Sequence, residues 1–282
     1  MLALLGRTGL ILLLLCAAPL QAAVSLTTMN IRFYGLNAEE NREPELIRYL
    51  SDHALWSDVM VFQEIVDVLR LQSKVVGFGY ACVSYASDAP GHQHVVVCHK
   101  PTLRFEKATD DDDFILENVA LGNAMYRPAV HGILRYASGS RIAHLVAVHL
   151  KAMPEDGAKR IEQIRMIHDY LAYGRDDALP AILIGDTNLF DDDVDAATEI
   201  LTDDGLGLKA VGTPGRYTYR VPERGQKFDR IWLGDGLAVQ GAARIAGPCN
   251  LAGPAGEAKI RIYNKTVSDH CAVTVQVVPS DR

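Results

Sequence analysis

Beyond its first two dozen residues the chain has no apolar run long enough to cross a bilayer, which excludes a bundle of membrane-spanning helices. It has no excess of basic residues: 28 Lys and Arg stand against 35 Asp and Glu, a formal charge of −7. A bulk basic face for gripping nucleic acid is therefore missing, and a nuclease of this composition has to rely on local charge and metal. Cys-x-x-Cys and Cys/His ligand spacings are also missing, which argues against structural zinc. Neither an internal repeat nor a low-complexity linker interrupts the sequence, so no domain boundary is marked. Tryptophan is scarce, with Trp56 and Trp232 the only two, and both fall inside strand or helix patterns.

The one long apolar run is terminal. Arg7 supplies a modest positive start, Leu10 to Ala18 is apolar, and Ala22-Ala23 closes the segment with small residues. This reads as a cleaved secretory signal over residues 1–23, its core too short to favour an uncleaved anchor. A lipid-modified Cys16 is disfavoured because Leu15 stands where a small residue is expected. The expectation is an exported protein, secreted or periplasmic, with residues 24–282 forming a single domain and no stable membrane insertion after cleavage. Without Arg7 the remainder carries 27 basic and 35 acidic residues, a charge of −8. Cys82, Cys98, Cys249 and Cys271 remain, and an oxidising compartment permits one or two disulfides. Cys82 and Cys98 lie on either side of the Ala89-Pro90-Gly91 turn and could face each other across a hairpin, with buried free thiols the equal alternative.

Hydrophobic periodicity interleaves strands with a few helices. Strand patterns cover Val24 to Phe33, Asp58–Ile65, Tyr80–Ala86, His94–Lys100, Val130–Tyr136, Arg141–Leu150, Ala181–Gly185, Phe228–Leu233 and Cys271–Val278. Helical spacing runs from Pro44 to Ser57 and from Ala158 to Tyr173, with Pro44 suited to a helix start. Two sheets sharing one core, with helices outside, fit this order.

Polar signatures end several of the apolar runs: Gln63-Glu64, His149, Gly185-Asp186-Thr187-Asn188 and Ser268-Asp269-His270, with Asn30 before them and Phe228-Asp229-Arg230 between the last two. Strands that finish in carboxylates, amides and imidazoles project these groups together at one sheet edge, the pattern of a metal-assisted hydrolytic site. Glu64 offers a hard oxygen ligand for magnesium, manganese or calcium, although taken alone it reads as a solvated strand end. Asp186 and Asn188, two apart, can hold one phosphate or water between them, or form an Asx turn before a helix. His149 and His270 make a plausible base and acid if each is oriented by an acceptor, and Asp229 is the orienter expected for His270. The acidic run Asp110 to Asp113 reads as a solvated loop, and Asp191 to Asp193 as a helix N-terminus. His92 and His94 lack a third ligand nearby.

Taken together, Asn30-Ile31-Arg32, Gln63-Glu64, Arg127-Pro128, Val148-His149, Gly185-Asp186-Thr187-Asn188, Phe228-Asp229-Arg230-Ile231 and Ser268-Asp269-His270 make the chain resemble the endonuclease/exonuclease/phosphatase superfamily, and within it the deoxyribonuclease I branch. The resemblance runs through nearly all of the mature chain. It implies a four-layer α/β sandwich, two mixed sheets face to face with helices on both outer faces, and hydrolysis of a phosphate ester with Mg2+ or Mn2+, with Ca2+ as the further candidate. It implies Glu64 at the metal, with Asn30 and Asp269 close by, and Asp186 and Asn188 positioning water or phosphate. His149 and His270, the latter on Asp229, would share the proton transfers, and Arg127 would contact phosphate.

Three departures modify that expectation. The glutamate that holds the first histidine in the branch aligns here with Gln93, which would orient His149 without adding charge. Thr187 replaces an aromatic. The groove-inserted arginine and tyrosine align with Val66 and Gly91, while Arg32 is kept, so the machinery for hydrolysis is whole and the grip on duplex DNA is reduced. The reading is an exported, monomeric, metal-dependent phosphodiesterase acting on nucleic acid. The alternative is a secreted phosphodiesterase or phosphatase for lipid headgroups or small phosphate esters, and a non-catalytic binding module is the weakest of the three.

Overall fold

The computed structural model describes residues 22–36, 42–53, 56–84, 93–107, 127–173, 177–203 and 205–280. The proposed signal segment, His92, Gly91 and the run Asp110 to Asp113 lie outside them, apart from Ala22 and Ala23 at the signal's end. The first half of the chain forms β1 (Val24–Tyr34), α1 (Glu43–Asp52), β2 (Val59–Ile65), α2 (Val68–Val75), β3 (Ala81–Ser84), β4 (His94–His99), β5 (Leu103–Lys107), β6 (Val130–Tyr136) and β7 (Arg141–His149). The second half forms α3 (Gly157–Tyr173), β8 (Ala181–Asp186), α4 (Asp191–Thr202), β9 (Lys209–Ala210), β10 (Tyr219–Val221), β11 (Arg224–Gln226) and β12 (Asp229–Leu233). It closes with β13 (Leu237–Val239), β14 (Arg244–Ile245), α5 (Gly253–Thr266) and β15 (Val273–Pro279).

The strands make a seven-stranded sheet in the order β13-β15-β1-β2-β4-β3, with β14 also on β15, and a six-stranded sheet in the order β5-β6-β7-β8-β12-β9. The ribbon β10–β11 belongs to neither. Parallel pairs (β1 with β2, β7 with β8) mix with antiparallel ones, so both large sheets are mixed.

Side-chain alternation explains why the strands read as nearly continuous apolar runs: both faces of each sheet are covered. Val59 and Val61 of β2 join Leu145, Ala147, Ile182 and Ile184 in the core between the sheets. The intervening Met60 and Phe62 face the other way, with Leu46 and Leu50 of α1 and Leu71 and Val75 of α2. Val146, Val148, Leu183 and Trp232 likewise turn outward onto Ile164, Ile167 and Leu171 of α3 and Ala197 and Leu201 of α4. Helix, sheet, sheet and helix are therefore stacked in four layers, the α/β sandwich expected from the sequence.

Several boundaries differ from the periodicity. The helix read from Pro44 to Ser57 ends at Asp52, and Trp56 has left the helix to stack on Phe78. His270 does not open a strand, because β15 begins at Val273; Cys271 N–H goes instead to Thr218 O (2.7 Å), at the base of the ribbon. Both possible disulfides form: Cys82 lies directly opposite Cys98 in the β3–β4 register and is bonded to it, and Cys249 is bonded to Cys271. No helix among the described residues is long and apolar enough to cross a membrane.

One charged cluster fixes the end of β1 beside the polar edge. Glu43 accepts from Tyr34 Oη (2.7 Å) and Arg70 Nε (2.8 Å) and pairs with Lys74 Nζ (2.8 Å), so α1 and α2 are tied to β1. Burial disfavours the carboxylate, but Lys74, Tyr34 and Arg70 outweigh that and bring its pKa down to about 2. A depressed carboxylate stabilises the fold above its unfolded pKa and loses the contribution as pH falls through the folded value. Glu43→Gln is expected to cost about 1–3 kcal/mol near neutral pH, a deficit that shrinks as acid protonates the wild-type residue. Urea unfolding of both proteins across an acid series checks this; a deficit that stays constant into strong acid contradicts it.

Candidate active site

Register brings the polar signatures together. In the six-stranded sheet His149 pairs with Asp186 and Asp186 with Asp229, so the three lie in one row across β7, β8 and β12. In the other sheet Asn30 pairs with Gln63, next to Glu64. The glycine before Asp186 has a steric cause: Gly185 has φ +144°, and a Cβ there would lie 2.1 Å from Val148 O. Thr187, in place of an aromatic, fixes the strand end by donating to Phe228 O through both its N–H (2.9 Å) and its Oγ1 (2.8 Å).

The rows meet through short contacts. Asn30 Nδ2 donates to Asp186 Oδ2 (2.9 Å) and to Glu64 Oε1 (2.9 Å). Its Oδ1 accepts from Arg32 N–H (2.9 Å), so the amide presents its nitrogen to the carboxylates, and Asn30 acts here as their bridge. His270 Nδ1 lies 2.8 Å from Asp229 Oδ2, as expected, with Nε2 3.7 Å from Asp186 Oδ2. Ser268 Oγ donates to Asn30 O (2.7 Å) and accepts from His270 N–H (3.1 Å), which joins that segment to the first sheet.

Gln93 departs from expectation. It does not reach His149; its Nε2 lies on Glu64 Oε2 (3.3 Å), which also accepts from Phe33 N–H (3.2 Å). An amide can donate to a carboxylate where a glutamate would repel it, so the side chain turns to Glu64. His149 instead has Arg127 Nη1 2.8 Å from Nε2, with Asp186 Oδ2 at 3.4 Å, and its Nδ1 is buried without a partner. A guanidinium only donates, so Nε2 accepts and the ring proton of neutral His149 resides on Nδ1. Arg127 also donates to Leu150 O (3.4 Å), placing this cation beside His149.

The electrostatics separate the two histidines. Burial, then Arg127 and His270, holds His149 well below the ordinary imidazole value. Burial would also lower His270, but Asp229 and Asp186 overcome it and carry its pKa up to about 10. Asp186 moves up to about 6, chiefly by burial and then by Asp229 and Glu64, against the pull of His270 and Asn30. One imidazolium therefore serves a crowd of buried carboxylates.

These groups open into a cleft of about 370 Å³. Glu64, His149, Asp186, Asn188, Asp269 and His270 contribute to its lining. Asn188 has φ +47° and closes an Asx turn onto Asp186 Oδ1 (3.0 Å), while its Nδ2 donates to Leu150 O (3.1 Å). The Asx turn read from the Asp-x-Asn step is present, although it does not cap α4, which starts after Phe190. Arg32, Gln93 and Arg127 are not part of this lining. Arg32 places its backbone N–H on Asn30, and Val66 donates its own to Tyr34 O (2.8 Å).

Met153, Phe190, Tyr219, Arg224 and Gln226, which also line the cleft, were not read from the sequence. Tyr219, Arg224 and Gln226 sit on the ribbon, whose three-residue strands are too short for a periodic signal; the Pro222-Glu223 turn was the available cue.

The donor set suits a hard divalent cation. Glu64 and Asp269 each contribute a carboxylate to the cleft lining, and Asp186, Asp229 and His270 place ligand-type atoms within 4.8 Å of one another. Of that last group, His270 Nδ1 and an Asp229 oxygen already satisfy each other, so the oxygen-rich side at Glu64 and Asp269 is the fitting place for magnesium, manganese or calcium.

No protein-family model and no curated protein matches this sequence. Solved structures do. A D. rerio TDP2 complexed with single strand DNA product is 19% identical, with 91% of this chain and 99% of that chain covered at a TM-score of 0.65. The human Nocturnin catalytic domain with bound sulfate anion is 16% identical, with 92% and 95% covered at 0.66. An endonuclease/exonuclease/phosphatase from Bacteroides vulgatus is 17% identical, with 92% and 100% covered at 0.60. Likeness at such identities is a statement about architecture, and by it this chain has the fold of the endonuclease/exonuclease/phosphatase superfamily.

Proposed function

We propose that this chain is an exported, divalent-metal-dependent phosphodiesterase that hydrolyses nucleic acid. The observation that carries the reading is the continuous contact from Asp229 through His270, Asp186 and Asn30 to Glu64 at the floor of one cleft. The fold supports it, since the similar structures include a TDP2 complexed with single strand DNA product. Export rests on the signal-like first 23 residues.

A phosphodiester is anionic and repels a hydroxide, so the site has to supply positive charge where the transition state gathers negative charge. A cation held at Glu64 and Asp269 would act as a Lewis acid on a phosphoryl oxygen. Asp186, once ionised, accepts the proton of an attacking water that it orients together with Asn188. His270, held as imidazolium by Asp229, donates toward the charge that develops on the phosphoryl or leaving oxygen. His149 remains neutral, and the guanidinium of Arg127 beside it adds fixed positive charge near the phosphate.

Exhaustive chelation is expected to abolish turnover of plasmid DNA or single strands, and magnesium or manganese to restore it. Glu64→Gln should reduce turnover by roughly 10²-fold or more with little change in melting temperature. Full activity after chelation sinks the mechanism. Parallel assays on RNA, sphingomyelin and a chromogenic diester rank the substrates, and turnover of the lipid alone would favour the alternative.

The pH profile follows from the two shifted groups. Asp186 works as the carboxylate, so activity rises with pH through about 6; His270 works as the imidazolium, so activity falls as pH rises through about 10. Asp229→Asn removes the charge that sustains the imidazolium and should move the alkaline limb to lower pH while slowing turnover by roughly 10² to 10⁴-fold. An alkaline limb that stays put in this variant rules His270 out as the proton donor.

A further inference from the structure

Arg160 is a buried charge that the mechanism leaves unexplained. It is an arginine of α3 with 0% exposure, and every donor of its guanidinium is engaged. Nε and Nη2 hold Asp193 Oδ2 (2.9 and 2.7 Å) at the start of α4. Nη1 donates to Met153 O (2.6 Å) and Lys151 O (3.2 Å), and Nη2 to Pro154 O (3.4 Å). The guanidinium also lies 4.9 Å from the Phe190 ring. Lys151 N–H is fixed in addition by Gln163 Oε1 (2.9 Å). The segment that follows His149 is therefore nailed to two helices by its own carbonyls.

What that clamp holds is a strained residue. Met153 has φ +81° and ψ +134°, a conformation that L side chains rarely adopt, and it precedes a proline. Met153 is 53% exposed and lines the cleft together with Pro154 and Phe190. Backbone strain kept in place by a surrounding network is found where function requires that geometry.

We propose that Met153 is a specificity-determining lip that takes the face of an unpaired nucleobase attached to the scissile phosphate, and that Arg160 is the positioning residue that presents it. The inference rests on the phosphodiesterase reading of the same cleft and names its substrate class. A thioether is a polarizable, adaptable partner for a planar ring. The cleft, about 370 Å³, has the size of a small-ligand site and admits one nucleotide unit rather than a paired duplex. The chain's charge of −7 gives no general hold on a phosphate backbone, so affinity has to come from local contact with a base.

The test compares a single-stranded oligonucleotide with the same strand carrying abasic sites. Wild type is expected to bind the base-bearing strand at least tenfold more tightly in chelator, by fluorescence anisotropy, and to cleave it with a correspondingly lower KM in magnesium. Met153→Gly, which relieves the strain, should keep or raise stability and lose most of that preference through KM, with kcat little changed. Arg160→Lys, which keeps the charge on Asp193 but cannot reach all three carbonyls, should lose the preference in the same way. Equal wild-type affinity for the two strands, or a preference intact in Met153→Gly, overturns the lip. Hydrolysis of both strands with equal efficiency overturns the lip alone and leaves the nuclease reading standing, whereas no hydrolysis with any divalent cation overturns both.

Discussion

The amide of Asn30 is the constraint on which the rest of the site depends. It belongs to one sheet, Asp186 to the other, and both are fully buried. Its two donated hydrogen bonds, to Asp186 and Glu64, hold carboxylates together that would otherwise repel. The bridge requires its oxygen to be occupied elsewhere, which the N–H of Arg32 accomplishes, and requires β1 to end in a fixed place, which the Glu43 cluster accomplishes. Packing of two sheets face to face thus becomes a statement about the distance between catalytic-type groups.

Charge then decides what this edge can do. Three carboxylates, Asp229, Asp186 and Asp269, act on the one imidazolium, and burial, with Asp229 and Glu64, still carries Asp186 up to about 6. Burying a carboxylate without compensation is costly, so such an array persists where an added cation or a protonated base offsets it. The same array forces the histidines apart: His270 is kept charged by Asp229, while Arg127 and burial keep His149 neutral. Division of labour between two like residues follows from what stands next to each.

Much of this was legible in the sequence because strand ends announce themselves. Val59-Met60-Val61-Phe62 before Gln63-Glu64, and Ile182-Leu183-Ile184 before Gly185-Asp186, gave both the strands and the groups they project. The Asp229–His270 pair followed from the same logic and is present at 2.8 Å. The neighbour of His149 was not legible: it is Arg127, rather than Gln93. Sequence order says which side chains reach an edge and not which of several donors wins each acceptor there. The ribbon and the buried Arg160 were invisible for different reasons. Three-residue strands carry no period, and an arginine on a helix reads as a solvated charge until the loop it clamps is in view.

The most direct test of the account is the titration of His270 itself, followed by NMR of its ring nitrogens in the metal-free protein. An imidazolium is expected that persists through neutral pH and loses its proton near about 10, with His149 neutral throughout the same range. A His270 ring that titrates near its ordinary value of 6.5, or a His149 that is charged while His270 is not, would contradict it.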